Sequence, residues 1–458
     1  MKEKINPHVL QIYTRLETSG FEVYFVGGCV RNLLLEIEPK DWDLTTNATP
    51  EELQAVFPDS FYDNAFGTVG VPLPETPEVE HPGVVEITTY RTEATYENHR
   101  KPTGVFWGKN IHEDLARRDF TINAIALRFT PDDQSIVLTD PYDGQADIKL
   151  KTVRTVGNAD ERFKEDALRL MRAVRFATQL SFSIEEKTMK GIVDNAKLIE
   201  HVSGERIRDE LLKILASNTP YEGVMLLDAV GLLDIILPEL SLGKGVSQTR
   251  PGRHHTTDVF THNVLSLKHC ASTDPIVRLA TLLHDVGKPM VMATDENGYV
   301  IFYNHEVAGA RIARGVADRL RLSKKQRDKI VTLIRWHMFT VDEHITDSAI
   351  RRFIRRVGVE NVGDMMDLRI GDRLGGGTQV AESWRLKKFK ERIVTELNPP
   401  FSINDLVVDG NDIMKELNIT PGRQIGEILQ KLFEEVDEDL ALNNREYLIP
   451  RIHKLSKI

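Results

Sequence analysis

In the stretch YFVGGCVRNLLLEIEPKDWD, from Tyr24 to Asp43, two aspartates stand one residue apart, Asp41 and Asp43, downstream of a glycine pair, Gly27 and Gly28, and of Arg31. On a β-strand, side chains separated by one position share a face about 7 Å apart, so the two carboxylates can share one or two hard cations. Mg²⁺ favours a few carboxylate oxygens completed by substrate phosphates, which suits such a pair to phosphoryl or nucleotidyl transfer. A glycine turn before a helix lets backbone N–H groups approach a phosphate, and Arg31, one turn on, adds a forked donor. A lone D-x-D is most often a solvated turn or strand end. The order and close spacing of all these residues point to a nucleotide.

Two further sets of side chains carry chemistry. Asp166 and Arg169 lie at i and i+3 in a segment, Arg162 to Phe182, that reads as one helix with Leu168, Met171, Val174 and Phe176 on its apolar side. Side by side, with the carboxylate holding the guanidinium, they offer one acceptor and several donors to a base edge; the plain alternative is a surface ion pair. Arg172 and Arg175 continue the row, although about 100° per residue carries Arg175 roughly opposite Asp166. Later come His262, the adjacent His284 and Asp285 between LL and VGKP, then His305, His337 and Asp372. A single helical histidine is usually a satisfied core or surface residue; an adjacent His-Asp in this setting is much rarer.

The elements that must hold these groups follow from pattern. Residues from Met1 to Gly20 read as a helix with Val9, Ile12, Tyr13 and Leu16 on one side, followed by a short apolar strand, an amphipathic helix from Val30 to Leu35, and a strand carrying Asp41 and Asp43. Thr49, Pro50 and Glu52 form a capping box that opens a helix. VVEITTYRT, from Val84, alternates as a strand and sets Glu86 on one face. ARRDFTINAIALRF places Arg117, Arg118 and Asp119 at the start of a helix, DPYDGQADIK reads as turns and a last strand, and GERIRDELLKIL is a helix with Ile207, Leu211 and Ile214 as its stripe.

GG-x-x-R followed by D-x-D, then RRD, EDxxR and GERIRDEL, resembles the motif series of the class II tRNA nucleotidyltransferase and bacterial poly(A) polymerase family, within the polymerase beta-like superfamily. The likeness is strongest from Val26 to Leu215. It implies an α+β N-terminal head, a mixed sheet with flanking helices, followed by all-α neck, body and tail domains. It implies Mg²⁺ at Asp41 and Asp43, and a third carboxylate at Glu86, for which an exposed strand residue is the plain alternative. It further implies triphosphate contacts from Gly27, Gly28, Arg31 and Arg118. Asp166, Arg169, Arg172 and Arg175 would choose CTP or ATP without a nucleic acid template. The polar stretch before RRD resembles the loop that moves the primer end between additions. Asn32 stands where the family usually has Asp, and Arg423 where proline is more often found.

The H…HD…D pattern resembles that of HD-domain metal-dependent phosphohydrolases. It implies a second metal site at His262, His284, Asp285 and Asp372, with His305 and His337 available to a further ion. Imidazoles and carboxylates together suit Mn²⁺, Fe²⁺, Ni²⁺ or Mg²⁺, able to activate water against a phosphate. Either that hydrolase is retained or the helices only support RNA.

At 458 residues, with 41% hydrophobic and 28% charged, the chain is an ordinary globular composition and not a disordered one. The expected division is a head at 1–150, a neck at 151–225, an HD-type body at 226–375 and a tail at 376–458. Two distant cysteines, Cys29 and Cys270, make neither a disulfide framework nor a zinc ribbon. A charged N-terminus and the lack of a bilayer-length apolar run point to a soluble, cytoplasmic protein. A net charge of −10 argues against indiscriminate binding to nucleic acid, so RNA must meet a local basic surface. Arg351, Arg352, Arg355 and Arg356, then Arg385, Lys387, Lys388, Lys390 and Arg392, are such clusters unless they are solvated faces. The function expected is transfer of CMP and AMP from CTP and ATP to the tRNA 3′ end, with neither DNA nor membrane as partner. A poly(A) polymerase, an enzyme adding part of CCA, or an HD phosphohydrolase with an RNA-binding head are the alternatives.

Overall fold

The computed structural model describes residues 2–456 apart from 64–66, 75–82, 92–95, 98–100, 103–107, 109, 131–134, 249–256, 343 and 397–401. The loop expected to move the primer end lies largely outside the described residues. The chain divides into two compact units, Met1–Pro238 and Glu239–Ile458.

The first unit is built on one sheet. Helix α1 (Pro7–Thr18) buries Val9, Ile12, Tyr13 and Leu16, the four apolar side chains that helical spacing sets on one face. Strand β1 (Val23–Val26) is buried along its length and leads through Gly27 into α2 (Gly28–Leu34). Strand β2 (Trp42–Thr46) follows, and Asp41 sits just before it, at an exposed position, rather than within the strand. The capping box of Thr49 and Glu52 opens α3 (Pro50–Val56), as its residue types dictate. Strands β3 (Phe61–Asp63), β4 (Thr68–Pro72), β5 (Val84–Thr89), helix α4 (Ile111–Ala116), and strands β6 (Ala126–Phe129) and β7 (Ile136–Thr139) complete the sheet and its cover. The strand order is β3-β4-β5-β2-β1-β6-β7. Only β2 and β5 run parallel, so the sheet is mixed. On its buried side Tyr13 stacks on Phe25 at 5.1 Å, and Phe129 meets both rings edge-on.

Three segments fold differently from their sequence reading, each because a short polar side chain captures nearby backbone N–H groups. RRD does not begin a helix: Arg117 caps the end of α4, and the chain passes through a 3₁₀ turn, Thr121–Asn123, into β6. Asp119 causes this by accepting from the N–H of Phe120 at 2.9 Å and from the Asn123 amide at 3.2 Å. In DPYDGQADIK, the Asp140 carboxylate accepts from the N–H of Gly144 at 2.7 Å and Gln145 at 2.9 Å, and α5 (Gly144–Leu150) forms where a strand was expected. The long neck helix is two: α6 (Ala159–Glu165) and α7 (Leu168–Leu180). Between them Asp166 is extended (φ −143°, ψ 104°) and accepts from the N–H of Leu168 at 3.1 Å, the role of a helix cap.

The second unit is helical. Helices Val259–Lys268 and Val362–Gly375 approach so closely that a Cβ at Gly371 would stand 2.7 Å from the Ser266 carbonyl oxygen and one at Gly375 2.6 Å from the Ser266 nitrogen. Glycine is needed at both, and the approach sets Asp372 beside His262. Nearer the C-terminus, Ile413, Leu432, Val436, Leu448 and Ile452 form a core between three helices.

The basic clusters are corrected in part. Arg351 is buried, donating to Asp437 at 2.9 Å and Glu396 at 2.8 Å; Arg355 donates to Asp437 at 2.6 Å and lies over Phe433. Arg392 pairs with Asp347 and Lys390 with Glu382. These are bonds within the fold, not a row presented to phosphates. Lys387 and Lys388 are exposed. Removing one partner of a buried ion pair leaves the other charge uncompensated. Arg351→Ala leaves Asp437 with Arg355 alone and takes this partner from Glu396, so it should destabilise the second unit by about 1–3 kcal/mol in denaturant unfolding, whereas Lys388→Ala should stay within about 0.5 kcal/mol.

Candidate functional site

Parallel pairing of β2 with β5 makes Asp43 and Glu86 Cα partners, so their side chains leave the same face of neighbouring strands. Burial pushes the Asp43 carboxyl up to about 6; Arg118 opposes this, while Glu86 and Asp41 add to it. For a half-buried carboxyl crowded by two others, a divalent cation offsets both the burial and the neighbouring negative charges. The donor set therefore fits such an ion. Gly27 has φ +72°, and a Cβ there would stand 3.0 Å from Arg118 Nη1 and 3.3 Å from Asp43 Oδ2. Only glycine lets the turn, the carboxylate and the arginine come together.

Arg118 is itself placed by Asp114, a fully buried carboxylate on α4. It accepts from Arg118 Nη2 at 3.0 Å and also from Arg117. Attraction from the two arginines outweighs burial and holds Asp114 below the usual carboxylate range. A cavity of about 370 Å³ opens here, and Asp43, Glu86, Arg118, Asp166, Arg169 and Arg172 line it. Asp41, Gly27, Gly28, Arg31 and Arg175 do not. Six arginines face four carboxylates around its wall, an excess of positive charge suited to a polyanion.

The expected pairing of Asp166 with Arg169 does not form. Asp166 accepts instead from Arg206 at 2.7 Å, on the helix Gly204–Leu215, and Arg169 pairs with Glu165 while donating to the carbonyls of Arg162 and Arg117, each at 3.1 Å. The break in the helix at Asp166 is the reason, since it removes the i, i+3 geometry. Both side chains nonetheless reach the cavity. Arg172 donates to Asp119 at 2.7 Å. Arg175 turns away to Glu210 at 2.5 Å, in line with its helical angle. Arg31 donates to Asn123 at 2.7 Å and to Asn32 at 2.9 Å, so the amide that replaces the usual Asp still holds it.

Three wall or support residues escaped the sequence reading, Arg91, Asp114 and Arg206, and Arg117 and Asp119 entered it only as part of RRD. Asp114 had a local signal, a carboxylate three and four residues before two arginines on a helix. Arg206 lies 40 positions from Asp166 and had none.

In the second unit the expected ligands converge. His262 Nε2 lies 3.2 Å from His284 Nε2 and from Asp372 Oδ1, and 3.3 Å from Asp285 Oδ2. His305 Nε2 lies 3.2 Å from Asp285 Oδ1 and 3.3 Å from His337 Nε2. The Nδ1 atoms of His284, His305 and His337 face the carbonyls of Thr281, Phe302 and Ile334 at 2.7–2.8 Å. A carbonyl only accepts, so each Nδ1 carries a proton, and Nε2 is the nitrogen that each ring turns inward and can offer to a metal. Donor atoms this close together fit a divalent metal, and Asp285 has one oxygen toward each histidine pair. Burial alone would lower His262, but Asp285 and Asp372 outweigh it and raise the imidazole to about 9. Lys288 pairs with Asp285, and Arg369 with Asp372 at 3.1 Å, at a cavity of about 390 Å³.

The chain resembles known proteins in sequence and in fold. Three family models match: the poly A polymerase head domain over residues 23–154, the probable RNA and SrmB-binding site of polymerase A over 181–242, and the HD domain over 265–366. The CCA-adding enzyme of Geobacillus thermodenitrificans is 45% identical over 225 residues, 49% of this chain and 52% of that protein. The A-adding tRNA nucleotidyltransferase of Deinococcus radiodurans is 36% identical over 338 residues, 71% of this chain and 75% of that protein. The chain thus spans about half the length of most of the first curated relatives it matches. The crystal structure of the Bacillus stearothermophilus CCA-adding enzyme in complex with CTP superposes with a TM-score of 0.71 at 26% identity, covering 99% of this chain and 98% of that one. Among the described residues no helix is long and apolar enough to cross a membrane.

Two outcomes follow from these contacts. Asp119, buried beside Arg172, is held at about 2, below its unfolded value near 3.9, because Arg172, Arg169 and the Asn123 amide outweigh burial. Its stabilisation is present above the unfolded value and lost as pH falls toward 2, so Asp119→Asn should cost about 1.5–3 kcal/mol at pH 7 and progressively less below pH 4 in urea unfolding. For the histidine cluster, Mn²⁺ or Ni²⁺ at 100 times its Kd should stabilise the protein by about 2.7 kcal/mol, read as a rise in Tm. Asp285→Asn should abolish that rise.

Proposed function

The chain belongs to the tRNA nucleotidyltransferase and poly(A) polymerase family, and from that premise we propose that it adds CMP and AMP from CTP and ATP to the 3′ end of tRNA, completing CCA without a template and releasing pyrophosphate. The observation that carries this reading is the cavity in which Asp43, Glu86 and Arg118 meet Asp166, Arg169 and Arg172. One end offers crowded carboxylates, the other a separate acceptor and donors.

Asp41 and Asp43, with Glu86, would hold Mg²⁺, which when bound supplies Lewis acidity toward the phosphates and the RNA 3′-hydroxyl. The protein's own groups do the rest. Arg118, fixed by Asp114, and Arg91 neutralise triphosphate oxygens. Gly27 clears the approach to them, and Gly28 and Arg31 support the turn. Asp166, fixed by Arg206, and Arg169, fixed by Glu165, meet the base edge as acceptor and donor. Because each has its own support, base choice rests on two independently anchored side chains. In this arrangement the 3′-hydroxyl of tRNA attacks the α-phosphate, and the cationic wall receives the pyrophosphate charge. The cytoplasm, where tRNA is matured, is the proposed location.

At the histidine cluster, His262, His284, Asp285 and Asp372, with His305 and His337, would hold Mn²⁺, Fe²⁺, Ni²⁺ or Mg²⁺ and support a phosphohydrolase activity. A second reading of the transferase, addition of the terminal A alone, is favoured by one observation: the A-adding relative aligns over 71% of this chain.

Purified protein given tRNA lacking its 3′ end should extend it by two residues with CTP alone and by three with CTP and ATP. Failure with CTP, together with extension of tRNA already ending in CC by ATP, would select the A-adding reading. Asp43→Asn should lower transfer at least about 1,000-fold with an unchanged Tm; full activity of that variant would overturn the assignment of the head.

A further inference from the structure

Three guanidinium groups surround one buried ring. Phe176, on α7 and 4% exposed, has Arg31 at 5.1 Å, Arg172 at 5.4 Å and Arg175 at 4.0 Å from its ring centroid. Its edge is fixed by Phe120, 5.6 Å away at 78°. The three cations come from two elements: Arg31 from α2, next to the diglycine turn, and Arg172 and Arg175 from α7, one turn and two turns beyond Arg169.

Their carboxylate partners are Asp119 for Arg172 and Glu210 for Arg175, whereas Arg31 is held by the neutral amides of Asn123 and Asn32. Burial, with repulsion from Arg175, lowers Arg31 to about 10. What offsets gathering these cations is the negative face of the buried aromatic ring. Asn123 also donates to Asp119, closing a chain of contacts from Arg31 through Asn123 and Asp119 to Arg172 around the ring.

Arg31 is absent from the cavity wall, so in this structure its place across Phe176 makes it a brace rather than a phosphate ligand. We propose that Phe176 is a positioning residue of the nucleotide site: by taking Arg31 and Arg172 on its ring, it fixes the distance between the diglycine turn on α2 and the base-facing residues of α7. A nucleoside triphosphate must span that distance, so an error in it is paid at both ends. This inference rests on the nucleotide reading of the cavity above.

The test is direct binding of CTP and of ATP to the full chain, with Tm measured alongside. Phe176→Leu keeps an apolar side chain of similar volume and removes the ring face. It should weaken both nucleotides about 5- to 30-fold, the fold-change of one or two cation–π contacts. Arg31→Lys keeps the charge and the core, loses the flat group, and should give a loss of the same size. The double variant should be less than about twofold worse than either single variant, because both changes break one strut. A ring that merely filled space would lower Tm without this non-additivity. Binding within twofold of wild type by Phe176→Leu, or losses that multiply in the double variant, overturns the inference. Should Phe176→Leu not fold, Arg31→Lys decides alone, and normal binding by it overturns the inference equally. If the wild-type protein binds neither nucleotide, the nucleotide reading itself fails.

Discussion

Everything in the head depends on keeping like charges close together around one cavity. Parallel pairing of β2 and β5 forces Asp43 and Glu86 side by side, and Asp41 adds a third negative charge nearby. Around them stand six arginines. Neither set would stay in place unaided, since mutual repulsion grows as water is excluded. The fold meets this with buried carboxylates that are not themselves at the metal position. Asp114 fixes Arg117 and Arg118, and Asp119 fixes Arg172. What is left over, crowded carboxylates at one end and surplus arginines elsewhere, matches a metal-bound triphosphate.

The break at Asp166 serves the same end. Had α6 and α7 run on as one helix, Asp166 and Arg169 would neutralise each other and face the cavity as a closed pair. By capping α7, Asp166 leaves the helix, takes Arg206 as its partner and keeps its own outlook on the cavity. The cost is modest because a helix cap replaces the hydrogen bonds that the break forfeits.

The histidine cluster gathers imidazoles around two buried carboxylates, Asp285 and Asp372. Three imidazoles are oriented by carbonyls three residues upstream, so helix ends set the direction of the Nε2 atoms before any ion arrives. The HD family match covers 265–366 and so omits His262 and Asp372, yet these two complete the cluster. The glycine contacts of the helix carrying Asp372 bring them within reach.

The sequence alone determined what depends on local pattern. The face of α1, the cap of α3, the alternation of β5 and the diglycine turn were legible because periodicity and capping act over a few residues. Short polar residues that seize nearby N–H groups, Asp119, Asp140 and Asp166, misled the reading, because the same residue types also occur within regular elements. Only the tertiary structure decided who partners whom: Arg206 with Asp166, Asp437 with the supposedly RNA-facing Arg351, Phe176 with three arginines. Asp166 with Arg206, Arg351 with Asp437 and Arg31 with Phe176 lie 40, 86 and 145 positions apart, and no local rule encodes which charge will meet which once burial has made every unpaired one expensive.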